Sequence, residues 1–231
     1  MSVLPTKKSN KITDLNQQII LLYGRPKIGK STFCSQFDKP IFLATEPGLN
    51  HLEVYKINIT NWETFLEACK EICAGNHDYK NIVIDTIDNL VLYCANYICE
   101  KEGINHPGDL PMGKGYHKVT NELKRVLNKL AHSPYGLVIV SHCEMETIET
   151  KTSKYNRWSI SVGGKNKNAC LDLADIILFI DSIVDKDGTE RRVIKTKPSR
   201  DYEAGDRSGL LPDKMSLDYQ EFAAYFNNGT N

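Results

Sequence analysis

The sequence predicts an α/β fold: a mostly parallel, twisted sheet flanked by helices, with a C-terminal antiparallel edge hairpin. Short apolar runs alternate with segments of helical periodicity, and near-continuous apolar strands mark a parallel sheet buried on both faces. The first run feeds a glycine-rich turn, "YGRPKIGKST" at 23–32, that opens a helix. Late in the chain, "VDKDGTERRVIKT" sets an Asp187-Gly188 turn between two strand-like runs, a hairpin signal.

The elements follow in order. Residues 1–17 form a polar arm without the apolar stretch of a signal peptide. "QIILLY" (18–23) is a buried strand, and a short helix separates it from a second, "PIFLAT" (40–45). "VYKINI" (54–59) is a further strand, after which Thr60 and Glu63 form a capping box for a helix through about Ala74. "NIVID" (81–85) is a buried strand followed by a helix over 87–101. A helix over about 115–132 puts Val119, Leu123, Val126, Leu127 and Leu130 on one face. "GLVIVSH" (136–142) and "ADIILFID" (174–181) are the next strands, and a last helix begins near Ser216. Two polar stretches, 103–114 and 143–168, are expected as loops, and loops of that length in a compact domain are usually functional. One domain, 18–231, with a C-terminal extension from 198, accounts for the length.

Lys+Arg and Asp+Glu are equal at 29 each, which excludes a chain that grips nucleic acid by bulk charge and leaves only local patches. No run approaches 18 apolar residues, so no membrane partner is expected. Seven scattered cysteines suit reduced, buried thiols in a cytoplasm better than a disulfide framework. Their spacing offers no convergent metal ligands.

Residues 24–31 match G-x-x-x-x-G-K-[ST] in full. The backbone from Gly24 through Arg25, Pro26, Lys27 and Ile28 to Gly29 can wrap a β-phosphate, helped by the helix N-terminus. Lys30 reaches the β/γ oxygens, Ser31 offers a hydroxyl to Mg²⁺, and Thr32 contacts the α-phosphate. ATP and Mg²⁺ are the expected cofactors. A Mg²⁺ site needs a carboxylate at a neighbouring strand end, and Asp85 of "NIVID" supplies it. Many ATPases with this clamp place a water-activating Glu immediately after that Asp; this chain has Thr86. Glu46, just past the second strand in "FLATEPGL", lies at the sheet edge that would face a γ-phosphate and is the alternative base.

A clamp, an Asp-terminated strand and a Glu after the second strand together resemble the RecA-like branch of P-loop ATPases. The resemblance covers most of the chain. It implies a sensing role for His142, where recombinases usually carry Gln, and DNA binding by the two polar loops, the second ending in "VGGKNKNACLDLADIILFID". The chain is most similar to short phage proteins that keep only this core, known as phage nucleotide-binding or ATP-dependent single-strand annealing proteins. "RRVIKTKPSRDYEAGDRSGLLP" carries that likeness; it implies that Lys195 and Lys197 reach into a neighbouring subunit's ATP site. The extra DNA-handling domains of recombinases have no counterpart in these 231 residues.

From the residues themselves, Lys151, Lys154, Arg157, Lys165 and Lys167 carry no intervening acid and are interleaved with Tyr155 and Trp158. Cations for phosphates and aromatics for stacking suit a single-strand platform, although a solvated basic loop has the same composition. Lys114, His117 and Lys118 could add to it. The leading expectation is an ATP-hydrolysing, phage-type recombination protein that binds single-stranded DNA as an oligomer, ring or filament, and promotes annealing or strand pairing. Its partners would be DNA, further copies of itself, and a single-strand-binding protein or other replication and recombination proteins, in the host cytoplasm. A P-loop switch or helicase assembly factor is the alternative. A small-molecule or nucleoside kinase is a third reading and would need an arginine lid, for which Arg191, Arg192, Arg200 and Arg207 are the candidates.

Overall fold

The computed structural model describes residues 4–8 and 11–227; parts of the expected arm (1–3 and 9–10) and the end of the C-terminal extension (228–231) lie outside the described residues. Among the described residues ten strands form one sheet: β1 Ile19–Gly24, β2 Pro40–Ala44, β3 Tyr55–Asn58, β4 Asn81–Asp85, β5 Gly136–Glu149, β6 Lys154–Ile160, β7 Ile176–Val184, β8 Glu190–Lys195, β9 Gly205–Asp206 and β10 Lys214–Ser216. The order is β10-β8-β7-β1-β5-β4-β2-β3. Every ladder from β7 to β3 is parallel, while β8 and β10 continue the sheet antiparallel. The predicted hairpin is therefore present, and β10 lies outside it as the true edge.

Helices cover both faces: α1 Lys30–Cys34, α2 Trp62–Ala74, α3 Ile87–Glu102, α4 Lys114–Ala131, α5 Gly164–Leu173 and α6 Tyr219–Asn227. Strand alternation divides the core accordingly. Leu21 and Tyr23 of β1 face a layer built by α2 to α5, and Ile20 and Leu22 face one built by α1 and α6. Trp62 and Phe65 are fully buried in the first layer and Phe222 in the second, where truncation to Ala costs about 3–5 kcal/mol. Leu211, Met215, Phe222 and Phe226 make the C-terminal extension part of the core. At the other end Leu15 of the expected arm packs inside the same cluster.

Two local expectations are corrected. The α2 cap is Asn61, not Thr60: Asn61 is extended (φ −157°) and its Oδ1 accepts from Thr64 N–H at 2.8 Å. Stretch 143–168 is not a loop. Strand β5 runs seven residues past His142 and pairs antiparallel with β6, from Cys143 opposite Ile160 to Glu149 opposite Lys154, and α5 follows from Gly164. Met145 lies opposite Trp158 and Ile148 opposite Tyr155, apolar cross-strand pairs that stand three apart within each strand, so no period-2 alternation marked them in the sequence.

Candidate active site

The parallel strands β1, β2 and β4 end at one edge, at Gly24, Ala44 and Asp85, and beside that edge lies a cleft of about 640 Å³. Pro26, Lys27, Gly29, Lys30, Ser31 and Thr32 form one side; Glu46, Asp85, Thr86 and His142 form the floor. Glycine is required twice. A Cβ on Gly24 would lie 2.6 Å from the Ile180 carbonyl oxygen, and Gly29 has φ +113°. Two clamp residues leave the cleft: the Arg25 guanidinium stacks over the Trp158 ring at 5.1 Å, and Ile28 packs on the α1-side core.

Lys30 is 6% exposed, and its ammonium donates to the carbonyls of Gly24 (2.9 Å) and Arg25 (3.0 Å). Burial pulls its pKa below the usual lysine value, opposed by Asp85, Cys143, Asp88 and Glu46. The Ser31 hydroxyl donates to Asp85 Oδ2 at 2.6 Å. Burial pushes the Asp85 carboxyl up, against that hydrogen bond. A hydroxyl beside a carboxylate at a helix N-terminus is a hard-oxygen donor set that fits Mg²⁺, which takes one or two protein ligands and completes its shell with water and phosphate. Among the described residues no group of three or more His, Cys, Asp and Glu gathers as a metal site, and Mg²⁺ held in this way needs none.

Glu46 and His142 complete the floor. Glu46 Oε1 receives Thr86 Oγ1 (2.8 Å), His142 Nε2 (3.1 Å) and Asn89 Nδ2 (3.4 Å). The His142 Nδ1 lies 3.5 Å from the Lys30 ammonium, which can only donate. The ring proton is thereby placed on Nε2, pointing at Glu46. His142 thus bridges the clamp lysine and the candidate base, and with Oε1 occupied by three donors, Oε2 is the oxygen available to water.

Sequence reasoning missed several contributors. Gly48, Leu49, Asn50, His51 and Leu52 form the cleft's outer wall; only the position of "PGLNHL" directly after Glu46 signalled them. Thr45 grips Thr86 by two bonds of 2.8 Å, and Asp88 and Asn89 in the first turn of α3 tie that helix to the floor.

The basic hairpin is arranged differently from the expected platform. Arg157 pairs with Glu146 (3.0 Å) and Glu203 (2.6 Å), and Lys167 also pairs with Glu146. Trp158 packs against Phe179 beneath Arg25, and Tyr155 lies under the Arg200 guanidinium at 4.4 Å. Alternation along β6 puts Tyr155 and Arg157 on one face and Lys154 and Trp158 on the other. Lys151, Lys154 and Lys165 remain exposed, Lys154 beside Glu149 at 3.7 Å and Lys165 beside His117 at 3.5 Å. Lys195 pairs with Asp181 (2.8 Å) and lies over the Tyr202 ring, and Lys197 lies 3.5 Å from Asp206. None of Arg191, Arg192, Arg200 and Arg207 lines the cleft, although Arg192 borders the far side of Gly29. All seven cysteines are free thiols, and burial pushes Cys69, Cys94 and Cys170 up to about 12, so they stay protonated packing residues. Among the described residues no helix is long and apolar enough to cross a membrane.

Residues 16–208 match the family described as AAA domain, and the chain belongs to that family. It is 28% identical over 190 residues to the SPbeta prophage-derived uncharacterized protein YorG of Bacillus subtilis (strain 168), covering 79% of this chain and 55% of that protein. It is also 28% identical over 182 residues to the CRISPR-associated endoribonuclease Cas13a of Leptotrichia wadei (strain F0279), covering 76% of this chain and 15% of that protein. The chain therefore spans about half of the first relative and a small part of the second. A similar solved structure is the KaiC-like protein PH0186 from Pyrococcus horikoshii OT3, 15% identical, with a TM-score of 0.48 over 82% of this chain and 81% of that one.

Proposed function

We propose that this AAA-domain chain hydrolyses ATP and uses the cycle to bind and release single-stranded DNA as an oligomer, promoting annealing or strand pairing. The observation that carries the hydrolytic part is the Lys30–His142–Glu46 chain beside the Ser31–Asp85 pair. Bound Mg²⁺ and phosphate would supply charge neutralisation and the electrophilic centre. The chain's own groups do the rest. Lys30 would exchange two carbonyls for phosphate oxygens, and Ser31 and Asp85 would hold the metal. Glu46 takes a proton from water on Oε2, while His142 and Thr86 hold Oε1 still. Lys195 and Lys197 would serve a neighbouring subunit by exchanging Asp181 and Asp206 for its phosphates, which links turnover to assembly.

The recombination part is supported by the prophage origin in the name of one relative and by exposed Lys151, Lys154 and Lys165. A second reading, a nucleotide-driven switch or helicase assembly factor, is favoured by one observation: Arg157, Lys167 and Trp158 are engaged within the chain. Measuring ATP turnover with and without single strands, together with particle size, separates the two. The first reading expects stimulation and DNA-dependent assembly; turnover indifferent to DNA, with no assembly, overturns it in favour of the second.

A further inference from the structure

One carboxylate behind the floor of the cleft has so far only tied α3 to that floor. Asp88 lies three residues beyond Asp85, in the first turn of α3. Its Oδ2 accepts the His142 main-chain N–H at 3.2 Å. Its Oδ1 accepts from the Ser161 hydroxyl and lies 3.2 Å from the Ser141 hydroxyl. Ser141 Oγ and Ser161 N–H both reach the His142 carbonyl, at 2.9 and 3.1 Å. Both main-chain polar groups of His142 are thus held by this cluster.

The topology explains why they need holding. The ladder between β4 and β5 stops at Asp85 opposite Val140, whereas β1 still pairs at Gly24 opposite His142. The antiparallel hairpin begins one residue later, at Cys143. At this fork the His142 N–H has lost its strand partner, and an unpaired main-chain donor is costly when buried. Asp88 takes the place of the missing strand.

We propose that Asp88 is a positioning residue: by fixing the His142 main chain at the fork, it keeps the imidazole spanning Lys30 and Glu46. The proposal rests on the hydrolytic reading above. Asp88→Ala lowers kcat by about 10–100-fold, the usual cost of losing such a supporting contact, with the affinity for a fluorescent ATP analogue within about twofold. Asp88→Asn recovers most of the loss. Its amide oxygen accepts the His142 N–H, and its NH₂ donates to the serine hydroxyls, which can accept as well as donate. The experiment measures steady-state kcat and KM, analogue binding without turnover, and thermal midpoint for the full chain and both variants. Where the alanine variant fails to fold, the asparagine variant decides. Wild-type kcat in Asp88→Ala, analogue affinity falling in step with kcat, or an asparagine variant as slow as the alanine one overturns the positioning role. A wild-type chain that binds the analogue and never turns over ATP removes the hydrolytic reading itself, and this proposal with it.

Discussion

In the cleft, Lys30, Ser31, Glu46, Asp85 and His142 come from separate strand ends and a helix N-terminus, yet they face one volume and bond to one another. In the β5–β6 hairpin and the start of α5 that follows it, residues equally suggestive in sequence part company: Arg157 and Lys167 turn to Glu146, Trp158 turns to the core, and Lys151 and Lys154 stay at the hairpin tip. The difference lies in what each pattern constrains. The clamp motif specifies backbone, because Gly24 and Gly29 are the positions where a side chain meets a carbonyl or a positive φ, and a fixed backbone fixes where its side chains point. A basic, aromatic composition specifies no backbone, so each side chain takes the nearest favourable partner. For Arg157 that is a pair of carboxylates, one 46 positions away at Glu203 and the other across the hairpin at Glu146.

 The ladder supplies Glu146 by register, but only the tertiary fold brings in Glu203.

Four variants test that contrast, from the largest expected effect to the smallest. Glu46→Gln removes the proton acceptor and keeps the shape, so kcat for ATP falls by about 10²–10⁴-fold with nucleotide binding retained. Rapid-quench turnover beside analogue binding measures both, and near-normal turnover would remove Glu46 as the base. In the hairpin, Arg157→Ala leaves Glu146 and Glu203 without their shared cation and costs about 1–3 kcal/mol of stability, read by denaturant unfolding. An unchanged midpoint would show that the two carboxylates do not hold Arg157 in place.

Asp85→Asn separates stability from function in the cleft. Burial raises the Asp85 pKa above its unfolded value, so the ionised group opposes folding at neutral pH, and that penalty fades as pH falls through the raised value into the ordinary carboxylate range. The variant should melt higher than wild type at pH 7, with the gap closing in acid, and should lose Mg²⁺-dependent turnover. A gap that widens in acid would reverse the sign. Smallest of all, replacing Lys151, Lys154 and Lys165 by Ala leaves stability within about 0.5 kcal/mol and flattens the log–log salt dependence of single-strand binding by ~2. An unchanged slope would remove the hairpin tip and the start of α5 from the proposed DNA surface.

Much of this was legible in the sequence, for reasons visible in particular residues. Apolar runs such as "NIVID" and "GLVIVSH" are buried on both faces, so composition alone located β4 and the parallel part of β5. Asp85 was readable because it closes such a run, and Glu46 because Thr86 occupies the position where a base is otherwise common. The extension of β5 beyond His142 was not, since Glu144, Glu146 and Glu149 break its apolar signal while cross-strand pairing sustains it. Asp88 and Asn89 looked like ordinary residues of a helix start; their partners, His142 and Glu46, lie 54 and 43 positions away in the chain. The α2 cap went to Asn61 because local geometry chose the next residue along from the expected Thr60.

The central claim is that the cleft is a Mg²⁺-dependent ATP-hydrolysing site built around Lys30 and Glu46. The most direct test is phosphate release by the full chain, with Mg²⁺ and with the metal chelated, beside Lys30→Ala under the same conditions. The account predicts turnover that stops on chelation and falls by about 10²–10³-fold in the variant. Phosphate release at the same rate in wild type and Lys30→Ala, or unaffected by chelation, would contradict it.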